Sequence, residues 1–484
     1  MVTIVGTSTA IAISIVTVPL YITAIGLERY GVLAVVWTIL TYFGLVELGV
    51  SGAMVQRLAG GLLSARQKIS LYWTGFSMNL AMGLAGALLL WLSFNPILSA
   101  LSFSTVEVGN ETRSAGGLIA ALVLVMTLRS VNNSVLFGAE RFVAATILST
   151  LESAASAVAP LVVAIYFSAD IYWLIAAILV VRIAFVVASF VVMIPSLPGF
   201  KVVGGHLSQA RDLLSIGIWY WLAGLIAPLL TYLDRFLIGS VVGVAQLPYY
   251  TVPQTILQQS SHIPRALGSV LFPRFSALKD DDAARKLAVD AMEAMAFVVT
   301  PISVVLILAM EPLLSIWLSA DFAGRSTEVG VVIMFSLLPS SMARILGSQL
   351  NGRNRPDLMV KALLLELAPY AFGLYFLSTA FGLIGVALVW TLRVIVDALL
   401  LGAMSKVLGS MLKELLFPMA LTTASLLASL SWGMHDPKRW VAAAAILLLV
   451  VGWTMWFLPP SLARSVGRAP VLRYLRLGRL YRIR

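Results

Sequence analysis

Residues 213–275 read LLSIGIWYWLAGLIAPLLTYLDRFLIGSVVGVAQLPYYTVPQTILQQSSHIPRALGSVLFPRF. Two long apolar segments meet in this stretch at a short link, Gly243 to Pro248. The first carries Asp234 and Arg235 inside apolar sequence, and the second carries Gln254, Gln258, His262, Arg265 and Ser269. At about 100° per residue these five fall within roughly a third of one helix face. Such a stripe, on a helix otherwise apolar, faces a partner or a water-filled cavity rather than lipid. The stretch therefore predicts the start of the second half of a polytopic membrane transporter, with part of a substrate path written on it.

Outward from this stretch, the whole chain has the same character. It has 484 residues, of which 60% are hydrophobic and 11% charged, with a mean hydropathy of +0.97. A soluble chain carries about 25% charged residues. Apolar runs near the length of about 20 residues that crosses a bilayer recur throughout. There is no cysteine, which excludes disulfides and thiolate metal sites. The three histidines, His206, His262 and His435, are too scattered for a histidine metal site. No charged region and cleavage site open the chain, so the first apolar stretch is expected to remain as a membrane helix.

The expected fold is all-α and polytopic. Candidate spans fall at 2–25, 31–54, 71–94, 116–138, 143–168, 171–194, 214–242, 248–272, 288–310, 328–350, 361–380, 382–404, 414–434 and 440–459. That is about fourteen, with twelve as the alternative. They divide into an N-terminal lobe of six helices (1–212), a C-terminal lobe of six (213–405), two accessory helices (406–459) and a basic tail (460–484). With the N-terminus in the cytoplasm, 22 of the 33 lysines and arginines fall on the cytoplasmic side and five on the other. The positive-inside rule then puts both termini in the cytoplasm. The net charge of +11 is thus mostly topology, and nucleic-acid binding is not expected. The tail has seven arginines and no acid, which suits an interfacial segment on anionic lipid, at about 1 kcal/mol per arginine.

An internal repeat accompanies this layout. Gly138, Arg141 and Glu152 have the spacing G-x-x-R-x10-E, and Gly352, Arg355 and Glu366 repeat it 214 residues later. Upstream lie two intramembrane arginines, Arg129 and Arg344, offset by 215. Halves of six helices each would share orientation and be related by an axis along the membrane normal.

Six arginines lie within spans: Arg129, Arg182, Arg235, Arg265, Arg344 and Arg393. Each costs about 2.5–3.5 kcal/mol at a helix centre and keeps its charge, so each needs a carboxylate, water or an anionic ligand. Arg393 and Asp397 are spaced i,i+4, as a local pair would be. Arg265 ends the polar stripe and is the first candidate for substrate contact, with Gln254, Gln258 and His262 beside it. Arg344 shares a stripe with Ser340, Ser341, Ser348 and Asn351, and Arg129 lies beside Asn132 and Asn133. Arginines around one cavity suit a phosphate or pyrophosphate, which guanidinium binds bidentately. Asp234 and Glu366 can bind a coupling sodium ion or proton, unless they pair with the arginines, and Thr391 can add an oxygen ligand. Asp280, Asp281 and Asp282 precede a good helical sequence, and capping explains them better than a Mg²⁺ site. No resident cofactor is expected.

These residues resemble a known family. The run LLSIGIWYWLAGLIAPLLTYLDRFLIGSVVGVAQLPYYTV is similar to the middle of bacterial polysaccharide-biosynthesis flippases, the translocases of O-antigen and exopolysaccharide repeat units. YITAIGLERYGVLAVVWTILTYFGLVELGVSGAMVQRLA resembles their first two helices, with Glu47-Leu48-Gly49 where the family often has Asp-Leu-Gly. LFGAERFVAATILSTLESAASAVAPLVV resembles the passage from the fourth helix to the fifth. The resemblance implies two six-helix lobes in a V around a central cavity. It also implies alternating access and a polyprenyl-pyrophosphate-linked oligosaccharide moved from the inner to the outer leaflet of the bacterial plasma membrane. Lipid II flippases and multidrug exporters belong to the wider superfamily. In the former, cavity arginines on the first, second and eighth helices are thought to hold the pyrophosphate. Arg265 corresponds approximately to the eighth-helix position and Arg57 more loosely to the second, while the first helix here has no arginine. A sodium site on the seventh, eleventh and twelfth helices would fall near Asp234, Glu366 and Thr391. Polysaccharide polymerase and glycosyltransferases are the candidate partner enzymes. A cation-coupled drug or metabolite exporter of the same fold is the alternative. A membrane glycosyltransferase or polymerase is a more distant one, because the loops are short and lack a carboxylate cluster suited to catalysis.

Overall fold

A computed structural model of the chain describes residues 2–43, 47, 49–59, 63–203, 209–214, 230, 232–278, 280–353 and 355–456. The expected arginine tail from Pro460, His206 and most of the span at 214–242 lie outside the described residues. All regular elements among the described residues are helical. Among the described residues, eleven helices are long and apolar enough to cross a membrane. Their outward faces carry exposed large apolar side chains, such as Leu88, Leu92 and Trp91, or Leu448 and Leu449. A soluble protein rarely leaves such large apolar patches open, and here they match a lipid solvent.

Two compact units divide the chain, Met1–Thr251 and Val252–Arg484. The described residues between 230 and 251, assigned above to the second lobe, fall in the first unit, where the 3₁₀ turn Val244–Gln246, which follows the π turn Ile238–Gly243, packs on the first helix.

The first unit contains α1 (Val2–Phe43), α2 (Val50–Ala59), α3 (Ala65–Ser99), α4 (Val106–Ser114), α5 (Gly116–Gly138), α6 (Phe142–Tyr166) and α7 (Ile171–Met193). α5 packs against α2, α3 and α7, and α6 lies against α1 and α7. α3 begins at a capping box, with Ser64 and Gln67 satisfying each other's free backbone N–H groups. α1 runs for 42 residues, about 63 Å at helical rise. That is twice a bilayer core. It bends at Gly26, whose φ of 80° only glycine adopts cheaply. The bend falls between the first two expected spans. Beside it, Arg29 grips Glu111 through two nitrogens, with Nε 2.8 Å from Oε2. Glu28 accepts from the backbone N–H of Thr105 at 3.2 Å. Gly31 lies so close to Val244 that an added Cβ would be 2.1 Å from its carbonyl oxygen.

The second unit takes in most of α8 (Leu247–Ser260), with α9 (His262–Ala277), α10 (Asp281–Trp317), α11 (Ala320–Phe335), α12 (Leu337–Gly352), α13 (Pro356–Met404), α14 (Leu408–Ser431) and α15 (Pro437–Trp456). α10 packs against α11, α12 and α14, and α12 against α9 and α13. The aspartate cluster starts α10 as expected: Asp280 is its N-cap and accepts from Asp282 and Ala283 N–H. α13 is 49 residues long and bends at Gly382 (φ 59°), between the expected eleventh and twelfth spans. α15 is anchored by Arg439, 1% exposed, which binds Glu311 and the Leu308 carbonyl. Phe297 also stacks on Trp453 at 4.2 Å.

The sequence repeat is a repeat of geometry. α5 ends with Ala139 N–H on the Val135 carbonyl at 2.9 Å and Arg141 N–H on Leu136 at 2.8 Å. α12 ends in the same way, with Arg353 on Gln349 at 2.9 Å and Arg355 on Leu350 at 2.8 Å. The glycine in each motif is the last helical residue and lets a neighbour pack close: an added Cβ would lie 2.4 Å from Leu58 at Gly138 and 2.7 Å from Phe275 at Gly352.

Candidate substrate-contact residues and carboxylate clusters

The intramembrane arginines fall into two groups, neutralised and open. In the first unit Arg129 is 5% exposed. Its Nε donates to Glu152 Oε2 at 3.1 Å and its Nη1 to Asn133 Oδ1 at 2.6 Å. Arg182 approaches the other oxygen of Glu152 at 3.7 Å. The hairpin of α6 and α7 brings Glu152 and Arg182 together, so Arg182, isolated in apolar sequence, has a carboxylate after all. Asn132 is also committed: it accepts from Tyr72 OH at 3.1 Å and donates to Ser189 at 3.0 Å. Arg129 therefore sits within helix packing, and its guanidinium serves the α5–α6 contact. Arg57, in the last turn of α2, meets Asp212 at 3.1 Å with both side chains about half exposed. Such a surface pair holds its arginine weakly, at about 0–1 kcal/mol.

In the second unit, Arg265 and Arg344 are both exposed, and neither has a carboxylate within ion-pair distance among the described residues. Arg344 stands on α12 between the buried Ala343 and Ile345. Its spanning segment Ala320–Gly352 is 83% buried over its most apolar window. An exposed charge on so buried an element faces an opening in the protein rather than lipid. Arg265 is positioned by a helix break. Pro264 lacks the N–H that would reach back one turn, and α8 gives way to α9 at Ser261. Two carbonyls beside the break accept from the Arg265 guanidinium: Gln258 at 2.8 Å and Ser261 at 3.3 Å. His262 Nδ1 lies 3.3 Å from the same guanidinium. α9 and α12 pack together, with Ser348 donating to the Gly268 carbonyl at 3.0 Å. Arg265 and Arg344 lie close enough for each charge to act on the other, and both act on His262. Gln258 is half-buried nearby and Gln254 is buried. Nothing is described for the Ser269 side chain.

The candidate coupling carboxylates occupy two settings. Asp234 is fully buried. It accepts a short hydrogen bond from Tyr250 OH across the elbow and one at 2.7 Å from Arg235 N–H. The Arg235 guanidinium lies 5.0 Å from the centre of the Tyr232 ring. Glu366, 4% exposed, accepts from Arg393 Nε at 3.1 Å across the bend in α13. Arg393 was expected to pair with Asp397; it bonds Glu366, and Asp397 lies beside both. Thr391 donates to the Val332 carbonyl at 2.9 Å, tying α13 to α11. Arg393, Glu366 and Asp397 thus form a buried cluster with one cation and two carboxylates, where the first unit has two cations and one carboxylate. An anion suits Arg265 and Arg344, which have no carboxylate within ion-pair distance among the described residues. A cation or proton suits the acid-rich cluster.

Comparison with known proteins bears on the family and the fold. The polysaccharide biosynthesis protein family matches residues 25–326. A Shigella flexneri protein named "Putative O-antigen transporter" is 25% identical over 380 residues, covering 78% of this chain and 90% of its own. Among solved structures, a lipid II flippase, MurJ, in an inward closed conformation superposes with a TM-score of 0.76. It is 12% identical, with 96% of this chain and 99% of that one covered. A multidrug-resistance MATE transporter in an inward-facing conformation reaches 0.61, also at 12% identity, over 88% and 96%. The fold is therefore that of lipid-flippase and multidrug transporters, and the chain, a multi-pass membrane protein, belongs to the polysaccharide biosynthesis protein family.

Proposed function

We propose that the protein is a flippase that moves a polyprenyl-pyrophosphate-linked oligosaccharide from the inner to the outer leaflet of a bacterial plasma membrane. The observation that carries this reading is the pair Arg265 and Arg344. They are two exposed guanidinium groups on packed helices, with no carboxylate within ion-pair distance among the described residues, and the spanning segment that carries Arg344 is otherwise buried. Leaving two such charges uncompensated at membrane depth is costly, and a pyrophosphate would compensate both. Gln258, His262 and Gln254 continue the polar face on which sugar hydroxyls can bond, and Arg57 offers a further contact. Arg129 contributes through the packing of its own unit. The lobes at 1–212 and 213–405 would rock between inward-open and outward-open states while the lipid tail stays in the bilayer. Both termini lie in the cytoplasm in this reading, and the tail rests on anionic lipid. A sodium or proton gradient drives the cycle through Glu366, with Asp397 beside it and Thr391 and Asp234 as further candidates.

The family supports a role in making surface polysaccharide, and the relative named as an O-antigen transporter supports the class of substrate. An exporter of organic cations has the same fold, but two open arginines would repel its substrate. The test is mass spectrometry of lipid extracts from cells depleted of the protein. Accumulation of a polyprenyl-pyrophosphate oligosaccharide is expected and would identify the glycan. No accumulation, with normal surface polysaccharide, would overturn the reading.

A further inference from the structure

One membrane-edge pocket has no part in the account above. It lies in the second unit, where α10 begins, α12 ends and α13 both begins and ends. Arg285, Gln349, Arg353, Arg355, Ser405 and Lys406 line it, with Asp281 as the lining acid, and its volume is about 150 Å³. That is room for about five waters at liquid density.

The pocket is cationic even after its ion pairs are counted. Arg353 binds Asp281 and the Leu278 carbonyl. Arg355 meets Asp357 at 3.1 Å, and Arg285 uses one terminal nitrogen on Asp282. All three acids are largely exposed, so these pairs are weak competitors for a better ligand. Lys406 has no carboxylate within ion-pair distance among the described residues. Its backbone takes φ 58°, a conformation that glycine would hold with less strain. Three polar atoms lining the pocket are buried without any hydrogen-bond partner: Arg285 Nε, Gln349 Oε1 and Ser405 Oγ. Gln349 is 4% exposed and Ser405 7%. Buried polar groups are ordinarily satisfied. Here one unmet donor, one unmet acceptor and one hydroxyl belong to residues around a single cavity, beside the ammonium of Lys406.

We propose that this pocket binds a phosphate ester carrying a free hydroxyl group. Arg285 Nε, Ser405 and Lys406 would donate to the phosphate oxygens, and Gln349 Oε1 would accept from the ligand hydroxyl. The phosphoglycerol headgroup of an anionic membrane lipid has this chemistry, and so does a soluble polyol phosphate. The lipid is favoured by place. α14 follows Lys406 directly and presents Leu412 and Leu416, 50% and 76% exposed, where acyl chains would lie.

The test is native mass spectrometry of the purified full-length protein with three probes: phosphatidylglycerol, phosphatidylcholine and glycerol 3-phosphate. The lysine and arginine carry exposed parts, so Lys406→Gln and Arg285→Gln should fold, and a melting curve checks this. Retention of phosphatidylglycerol over phosphatidylcholine is expected, weakened about tenfold in either variant. Glycerol 3-phosphate bound in a variant-sensitive way, without lipid preference, would keep the phosphate-ester site and make its source soluble. Equal retention of both lipids and no variant-sensitive binding of glycerol 3-phosphate would overturn the proposal. None of these probes is the transported substrate, so the outcome is independent of the flippase reading.

Discussion

Arg344 stands one residue past the position that matches Arg129 in the sequence repeat, so it turns away from the buried face that Arg129 occupies, and only Arg129 has a carboxylate at hydrogen-bond distance. Glu152 lies 3.1 Å from Arg129. Its counterpart Glu366 lies 3.1 Å from Arg393, which leaves Arg344 open. One repeat unit has thus used its carboxylate to close a helix contact, and the other has used it elsewhere and kept a free cation. The two arginines should therefore respond differently to removal.

Arg344→Ala and Arg265→Ala should leave folding intact, because each side chain is exposed and without an ion pair. Transport should fall at least about a hundredfold if each contributes a charge-assisted contact to the substrate phosphates. Protein level and melting temperature, measured beside the transport rate, separate this from misfolding.

Arg129→Ala should act on stability instead. It removes the closer partner of Glu152, whose side chain is 13% exposed, a change that costs up to about 3 kcal/mol where a buried pair is broken. Arg182 remains to limit the loss. Thermal melting in detergent reads the effect, and a double-mutant cycle with Arg182→Gln should show strong coupling between the two sites.

Glu366→Gln tests the coupling cluster. Arg393 keeps a hydrogen-bond acceptor, so the helix bend should survive. Transport driven by an imposed sodium or proton gradient should lose its dependence on that gradient. Unchanged gradient dependence would remove Glu366 from the coupling role.

Asp280 makes an acid-side prediction. Backbone N–H groups of Asp282 and Ala283 donate to its carboxylate and hold it below the usual carboxylate range. A depressed folded value means that the cap contributes fully above the unfolded pKa of about 3.9. The contribution is lost as the pH falls through the folded value. Asp280→Asn should remove that part of the acid-side loss, and melting curves between neutral pH and about pH 3 would show it.

The class of fold was legible because bilayer length and apolar composition leave few alternatives. The expected span boundaries near Gly26, Gly243 and Gly382 fall at the bends of the chain, whereas the helix break at Ser261 lies inside the expected span 248–272. The repeat was legible in Gly138, Arg141 and Glu152, because the same helix ending needs the same residues. Pairing was harder. Arg393 looked like the partner of Asp397 one turn away, but the bend at Gly382 folds α13 back and brings Glu366, 27 residues earlier in the chain, to 3.1 Å. Arg182 looked isolated because its carboxylate lies on the preceding helix. Sequence spacing reads contacts along a helix, and these are contacts between helices. The edge pocket was missed for a related reason: its cations read as topology, and only the ends of three helices coming together make them a site.

The central claim is that Arg265 and Arg344 hold the pyrophosphate of a lipid-linked glycan. Its most direct test is reconstitution into liposomes with a labelled polyprenyl-pyrophosphate oligosaccharide, following leaflet exchange by accessibility to a membrane-impermeant reagent. Exchange should be rapid with the native protein and lost with Arg265→Ala and Arg344→Ala, while the same glycan on a polyprenyl monophosphate should move more slowly. Equal exchange by native and variant proteins, or no preference for the pyrophosphate, would contradict the account.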